Sequence, residues 1–381
     1  MTEENNTPTL RTAEQINAEE LRKYWLDPEQ EYPEPHFLFE YNGVGFSPLG
    51  GIQAISGQKK NGKTFVLAQL MAAALGTGSE RVSEYLGTLQ TRQDTIDWLG
   101  HEPRVLYCDT EMEQLNTAKV LRRVHWLCGW DMKQRSERFF VLWLREVPKT
   151  ENQSSNKERW RLIKNAIEQI SPDIVFVDGL RDLVNDFNDN TESSAIVGEM
   201  MSLASQKNMC IWNVLHMNPR PSNDDESKMR GHLGTELGNK VSDTFVSIKK
   251  KDSNTGQVTF TVKQQDARGK DIDDWQFEIT DDVGGLGIPK IIGTPIPKND
   301  KPEGDNPEHI LHWINEAIGK YTWPMSRAEI KKLVFGEIGG QKNTGKQSID
   351  LTIAINSGWL EESTMKKNGS YMLQPPDDLP F

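Results

Sequence analysis

The sequence predicts an α/β core on a mostly parallel sheet, an antiparallel extension after it, and a small, largely helical C-terminal unit. Three observations carry this. Short β-branched runs alternate with helical segments from Gly51 to about Asn239, the pattern of a sheet covered on both faces by helices. The rhythm then becomes purely β as far as Thr280. A Gly- and Pro-rich stretch over 284–307 separates this from a last helical segment and reads as a linker.

Taken in order, the stretch up to about Phe37 holds one expected helix, Ala13 to Tyr24, and then the Pro-containing break at 32–35. It has too few apolar residues for a domain, so residues 1–37 read as an N-terminal arm. Residues 38–283 form the main domain. Its expected parallel strands are Ile52–Ser56, Arg104–Asp109, Phe139–Leu144, Ile174–Asp178 and Met209–His216. The helices between them are Lys63–Leu75, Glu113–Leu127, Lys157–Ile170 and Glu192–Gln206. Asp243–Lys250, Gln257–Gln264 and Trp275–Thr280 are the expected antiparallel extension, with a hairpin turn at 253–256. In residues 308–381 three helices, Glu308–Ile318, Ser326–Phe335 and Gly345–Ser357, precede two strand-like pieces, Trp359–Glu362 and Ser370–Leu373, around a turn at 366–369. Three helices and a terminal hairpin predict a winged-helix-like domain with an acidic tail.

Hydrophobic residues make up 36% of the chain and charged residues 26%, which excludes a disordered or membrane-embedded protein. The longest apolar run, Thr64 to Leu75, falls short of a bilayer span. The polar, acidic opening has neither signal- nor transit-peptide character. Cys108, Cys128 and Cys210 lack metal-ligand spacing and are expected as reduced thiols in a cytoplasmic protein. The net charge of -12 argues against a surface that binds nucleic acid throughout but leaves room for a local basic channel.

Gly57, Gln58, Lys59, Lys60, Asn61, Gly62, Lys63 and Thr64 fit G-x-x-x-x-G-K-[ST] at each fixed position, between an apolar strand and an apolar helix. The glycines let backbone N–H groups turn inward around a phosphate, and the helix N-terminus adds its positive end. Lys63 would bridge the β- and γ-phosphates of ATP, and the Thr64 hydroxyl would hold Mg²⁺. Asp178 ends an apolar strand, as the second metal-side carboxylate of such a site should. A near-repeat at Gly340–Gln347 has Gln347 where Ser or Thr is required and no buried strand leading into it, so it reads as a surface loop and helix start.

The place of the water-activating base divides the P-loop classes. Gly179 and Leu180 follow Asp178, so the AAA+ arrangement, with Glu directly after that Asp, is absent. Another strand end, Val105–Met112, carries Asp109, Thr110 and Glu111. This segment resembles the RecA-like and DnaB-like families, in which a Glu at the end of the second strand polarises the attacking water. The resemblance implies Glu111 as catalytic base, with Asp109 and then Glu113 as competitors. The plain alternative is that all three decorate a strand end and a helix start.

It covers roughly Phe37 to Asp282 and is nearest to the RepA-type hexameric ATPases of plasmids, phages and mobile elements. It implies that His216 senses the γ-phosphate and that the long polar segment Met217–Lys240, with Arg220, Lys228, Arg230 and His232, is a nucleic-acid loop. The acidic run at 224–226 counts against that. It further implies that Lys263 or Arg268 reaches the ATP of a neighbouring subunit, although the usual close Lys-x-Arg spacing is missing. Single-stranded DNA and further copies of the chain in a ring, possibly of six, are the implied partners, with ATP and Mg²⁺ as cofactors and no membrane.

In the C-terminal unit the third helix would be the recognition element. Lys342, Lys346, Lys366 and Lys367 are candidates for phosphates, and Glu361 and Glu362 are unfavourable to them. Two functions remain open: a DNA-dependent ring ATPase that translocates or unwinds, and a nucleotide-gated assembly factor on DNA or protein. A small-molecule kinase is a distant third, because Glu111 has no evident role in that chemistry.

Overall fold

The computed structural model describes residues 24–149, 154–217, 229–252, 255–280, 283–294, 305–342, 344–367, 370–377 and 379, and the chain divides into two compact units after Thr294. The first unit runs β1 (Phe37–Tyr41), β2 (Val44–Pro48), β3 (Ile52–Gly57), α1 (Lys63–Leu75), α2 (Glu80–Leu86), β4 (Gln90–Thr91), α3 (Gln93–Leu99), β5 (Val105–Asp109), α4 (Gln114–Leu127), β6 (Phe139–Trp143), α5 (Ser155–Ile170), β7 (Ile174–Asp178), α6 (Asn190–Lys207), β8 (Cys210–His216), α7 (Gly231–Lys240), β9 (Asp243–Lys251), β10 (Val258–Ala267), β11 (Trp275–Thr280) and β12 (Ile288–Gly293). Nine strands form one sheet in the order β12-β11-β10-β9-β3-β8-β7-β5-β6. It is parallel from β9 to β6 and antiparallel from β9 to β12. β1, β2 and β4 make a separate small antiparallel sheet.

The central strands are continuous apolar runs because both of their faces are covered. Side chains alternate between two cores. Ile55, Tyr107, Phe176, Trp212 and Phe245 join α1 and α4 on one face. Ala54, Leu106, Val175 and Ile211 join α5 and α6 on the other. Helix α1 is apolar on nearly every side, and every residue from Val66 to Leu75 is buried, Gln69 included, whose Oε1 accepts the Trp275 indole N–H at 3.2 Å, as expected of a helix inside a large core. Burial of a side chain such as Phe245 contributes roughly 1.5–3 kcal/mol. Strand register then sets the working edge: Gly57 lies opposite His216, and Asp109 opposite Asp178.

Several expectations need correction. The linker expected over 284–307 begins with β12, an edge strand paired to β11, so the first unit runs to Thr294. Gly284, Gly285 and Gly287 sit in the tight turn before it, and Pro289 is tolerated because an edge strand leaves one side of its backbone unpaired. The extension is not antiparallel throughout, since β9 pairs in parallel with β3. The polar segment expected as one loop over 217–240 contains helix α7, whose Leu233 and Leu237 are buried. The helix expected at 13–24 lies, but for Tyr24, outside the described residues, as do Arg220, Lys228 and the acidic run at 224–226. Among the described residues no helix is long and apolar enough to cross a membrane, and all three cysteines are free and buried.

The second unit has α8 (Pro307–Lys320), a helix α9 that is α-form over Arg327–Glu329 and π-form over Ile330–Ile338, α10 (Thr344–Asn356), and the antiparallel pair β13 (Glu361–Lys367) and β14 (Ser370–Gln374). The first strand starts two residues later than expected. Leu360 stays in the unit's core with Ile314, Phe335 and Leu373. Asn306 caps α8, with Pro307 at its first position, and Ser326 and Glu329 form a capping box for α9. The near-repeat at Gly340–Gln347 is pinned from within. Gln347 Nε2 donates to the Gln341 carbonyl at 2.6 Å, and Lys346 Nζ pairs with Asp305 at 2.8 Å. Its lysine is engaged in the unit's own structure.

Candidate active site

The Gly57–Lys63 loop leaves β3 and enters α1 at the carboxyl edge of the sheet. Gly62 has φ 84°, and a Cβ there would stand 2.6 Å from the Phe260 ring, so only glycine lets the loop turn this close to β10. Asn61 Nδ2 donates to the Ser247 carbonyl at 3.3 Å, which ties the loop to β9. Lys63 is almost fully buried. Its Nζ donates to the Gly57 and Gln58 carbonyls, both at 2.9 Å, and to His216 Nδ1 at 3.2 Å. Burial pushes its pKa down, partly offset by Asp178 and Glu111.

His216 Nε2 lies 3.3 Å from Glu111 Oε2. Lysine can only donate, so Nδ1 accepts and the ring is the Nε2–H tautomer, which donates to Glu111. That hydrogen bond holds the Glu111 carboxyl below its ordinary range against the opposing effect of burial, with the charges nearby adding to it. Glu111 is therefore an ionised carboxylate, joined through one imidazole to the lysine of the phosphate loop.

On the other side Thr64 Oγ1 and the Tyr107 hydroxyl each donate to Asp178 Oδ2 at 3.0 Å. Burial first, and then the negative charges of Asp109 and Glu111, push Asp178 up to about 7. Tyr107 is fully buried and its pKa is raised well above the ordinary phenol value, chiefly by that burial. A buried carboxylate beside a hydroxyl is a hard-oxygen pair suited to Mg²⁺. Among the described residues no group of three acidic, histidine or cysteine side chains could cage an ion alone.

Asp109 is fully committed. Its Oδ1 accepts the Glu111 and Met112 N–H groups at 3.0 Å each, and its Oδ2 accepts the Thr117 hydroxyl at 2.6 Å. Glu113 is exposed at the N-cap of α4 and pairs with Arg145 at 3.0 Å. Of the three acids only Glu111 meets the phosphate-loop lysine through His216. Gly179 shows why no acid follows Asp178: at φ 109° its Cβ would sit 2.1 Å from Thr110 Oγ1 and 2.8 Å from Glu111 Cγ. The space an AAA+ glutamate would need is filled from the neighbouring strand.

Lys63, Thr64, Glu111, Asp178 and His216 line a cavity of about 590 Å³ that extends past Lys59, Phe65, Met112, Phe260 and Ile279, a size suited to a nucleotide. Among the described residues its one lining arginine is Arg123, which is committed to structure. Nε and Nη2 donate to the Gly287 and Leu286 carbonyls at 2.7 and 2.6 Å, and the guanidinium lies 4.3 Å from the Phe65 ring centre. A larger hollow of about 680 Å³ along α7 and the end of β10 holds Arg268 and Asp266 but none of the strand-end groups.

Lys263 and Arg268 do not line the nucleotide cavity. Lys263 Nζ lies 3.9 Å from Asp274, and Arg268 Nη2 donates to the Lys240 carbonyl at 3.2 Å. Arg230 stands at the N-cap position of α7, its N–H donates to the His216 carbonyl at 3.1 Å, and its guanidinium lies 4.9 Å from the Phe187 ring centre, with that of Arg181 4.7 Å from the same ring. Sequence reasoning missed Tyr107, Arg123 and Phe187. The Tyr two residues before Asp109 was the one available signal, and it needed the strand register to be read.

The family described as AAA domain has a model that matches residues 38–219, just under half of the chain. No curated protein matches the sequence. Among solved structures, a KaiC-like protein from the hyperthermophilic archaeon Pyrococcus horikoshii aligns over 65% of this chain and 92% of its own, at 13% identity and a TM-score of 0.42.

Proposed function

Taking as premise that the chain carries an α/β P-loop ATPase domain, we propose that it hydrolyses ATP with Glu111 as the base, in a DNA-dependent ring that translocates or unwinds for replication or transfer of a mobile element. The observation that carries the catalytic part is the Lys63–His216–Glu111 chain beside the Thr64–Asp178 pair. Lys63 leaves its loop carbonyls to bridge the β- and γ-phosphates. Glu111 accepts a proton from a water in line with the γ-phosphate, and His216 holds that carboxylate in place. Thr64 and Asp178 would hold Mg²⁺, which would supply charge neutralisation on the phosphoryl oxygens. Positioning and charge are most of what phosphoryl transfer requires.

The DNA part rests on the junction after β8. The residue that touches Lys63 and Glu111 also holds the Arg230 backbone. Among the described residues neither Arg181 nor Arg230 meets a carboxylate within ion-pair distance. The ring part rests on where Lys263 and Arg268 stand: neither lines the nucleotide cavity of its own chain, whose one arginine among the described residues is held by carbonyls, so either would act on the ATP of another copy. The second reading, a nucleotide-gated assembly factor, is favoured by the winged-helix-like unit. There Lys367 pairs with Glu329 at 2.6 Å and Arg327 lies 3.7 Å from Glu362, so two of the cations nearest the hairpin are already matched.

The test is steady-state ATP hydrolysis with and without single-stranded DNA, on wild type and Lys63→Ala together. Stimulation that is lost in the variant supports the ring motor. ATP binding without stimulation supports the gated factor. Equal turnover in both proteins overturns the site.

A further inference from the structure

Asp178 has two oxygens in unlike surroundings. Oδ2 accepts two hydroxyls, Thr64 Oγ1 and Tyr107 Oη, both at 3.0 Å. Oδ1 accepts no hydrogen bond among the described residues, yet Asp178 lines the nucleotide cavity. The two donors differ in kind. Thr64 belongs to the phosphate loop's own helix and is itself expected to ligate the cation. Tyr107 comes from the neighbouring strand, is fully buried, and has no part in the P-loop pattern.

The register explains why a tyrosine does this. Tyr107 lies opposite Phe176, two residues before the Asp109–Asp178 pair, and on the same face as Asp178. Two residues along a strand span about 6.6 Å. A phenol bridges that distance and ends in a donor, whereas phenylalanine fills the same space and lacks one. The ring also packs in the core with α1 and α4, so the hydroxyl is held by both backbone and core.

We propose that Tyr107 is a positioning residue for the metal-side carboxylate: with Thr64 it fixes Oδ2 of Asp178 and so leaves Oδ1 as the oxygen offered to the cation's shell. The proposal rests on the reading of Asp178 as the metal-side carboxylate. Were Thr64 to give its hydroxyl oxygen to a cation, Tyr107 would be the strand-borne donor that keeps Asp178 from rotating.

The experiment measures binding of a fluorescent, non-hydrolysable ATP analogue to the full chain, in EDTA and across a Mg²⁺ titration. It compares wild type, Tyr107→Phe, Asp178→Asn and the double variant, with thermal melting of each as a check on folding. Tyr107→Phe is expected to bind in EDTA as wild type does, while its Mg²⁺ midpoint rises roughly three- to tenfold, the scale of one lost hydrogen bond. In the Asp178→Asn background the same change is expected to have no further effect. An unchanged midpoint, an equal loss in EDTA, or the same shift on top of Asp178→Asn would each overturn the proposal. Wild type that binds no analogue at all, or binds it equally after Lys63→Ala, would instead remove the P-loop reading beneath it.

Discussion

Two carboxylates one strand apart are driven in opposite directions by their surroundings, and each direction leads to its own prediction. Glu111 is held in its ionised form by the His216 hydrogen bond. Glu111→Gln keeps that group's size and removes its ability to accept a proton. ATP binding should survive and hydrolysis should fall by at least about 100-fold, the scale of general-base catalysis, as read by single-turnover kinetics beside an ATP-binding titration. Turnover retained in this variant would reassign the base. Asp178 is pushed up to about 7 by burial and neighbouring acids, so between the unfolded carboxylate range and pH 7 the folded state binds the extra proton. By linkage, stability without nucleotide or metal is then greatest at low pH and falls as pH rises through that window, by at most roughly 1.4 kcal/mol per pH unit. Asp178→Asn removes the buried charge. The variant should melt higher than wild type at pH 8, by less at pH 5, and should hydrolyse nothing. An identical pH slope in the two proteins would show that Asp178 is not the group responsible.

The elements around the site are held by single close contacts, and these too can be tested. Arg123 joins α4 to the turn before β12 through two carbonyls and to α1 through Phe65. Arg123→Met leaves the carbonyls of Leu286 and Gly287 without that donor. The first unit should lose about 1–3 kcal/mol, measured by urea unfolding of the full chain with a probe confined to that unit. The same contacts show which parts of the fold could be read in advance. The strands β3, β5, β7 and β8 announce themselves because burial on both faces demands unbroken apolar runs, and α1 because it is apolar on nearly every side. Strand β12 was hidden by the glycines and proline that its turn and edge position allow, and α7 by polar residues and three glycines over a short length. β1, β2 and β4 are too short, and make too small a sheet, for alternation to stand out. At the site, the phosphate loop is legible because spacing along one segment defines it. The choice among Asp109, Glu111 and Glu113 is not, because it depends on which carboxylate oxygens are already used by N–H and hydroxyl donors. Nor is the need for Gly179, whose missing side chain makes room for Thr110 and Glu111 just beyond the end of another strand.

At the scale of the whole molecule the open matter is the cation that would stabilise the transition state. Arg123, the arginine of the nucleotide cavity, is held by backbone carbonyls, while Lys263 and Arg268 lie away from that cavity on β10 and just beyond it. If one of the latter two acts on a neighbouring copy, active sites are shared between chains, and sharing has a signature that no single-chain mechanism reproduces. A chain carrying Lys63→Ala has no working phosphate loop but keeps both candidates for the cation that reaches a neighbouring copy, here called the finger. A chain carrying both Lys263→Ala and Arg268→Ala has an intact phosphate loop but no finger. Each variant alone should be inactive. Mixed and allowed to reassemble, they should regain turnover at interfaces where a sound loop meets a sound finger, to about one quarter of the wild-type rate for an equal, random mixture of independently acting sites. The mixture is to be assayed for ATP hydrolysis after dissociation and reassembly, with its size followed by light scattering. Recovery in the mixture establishes action between copies, and separate Lys263→Ala and Arg268→Ala chains then identify the finger. Turnover in the double variant alone would show that neither residue is needed, and a dead mixture of demonstrably mixed rings would show that the site draws its cation from its own chain.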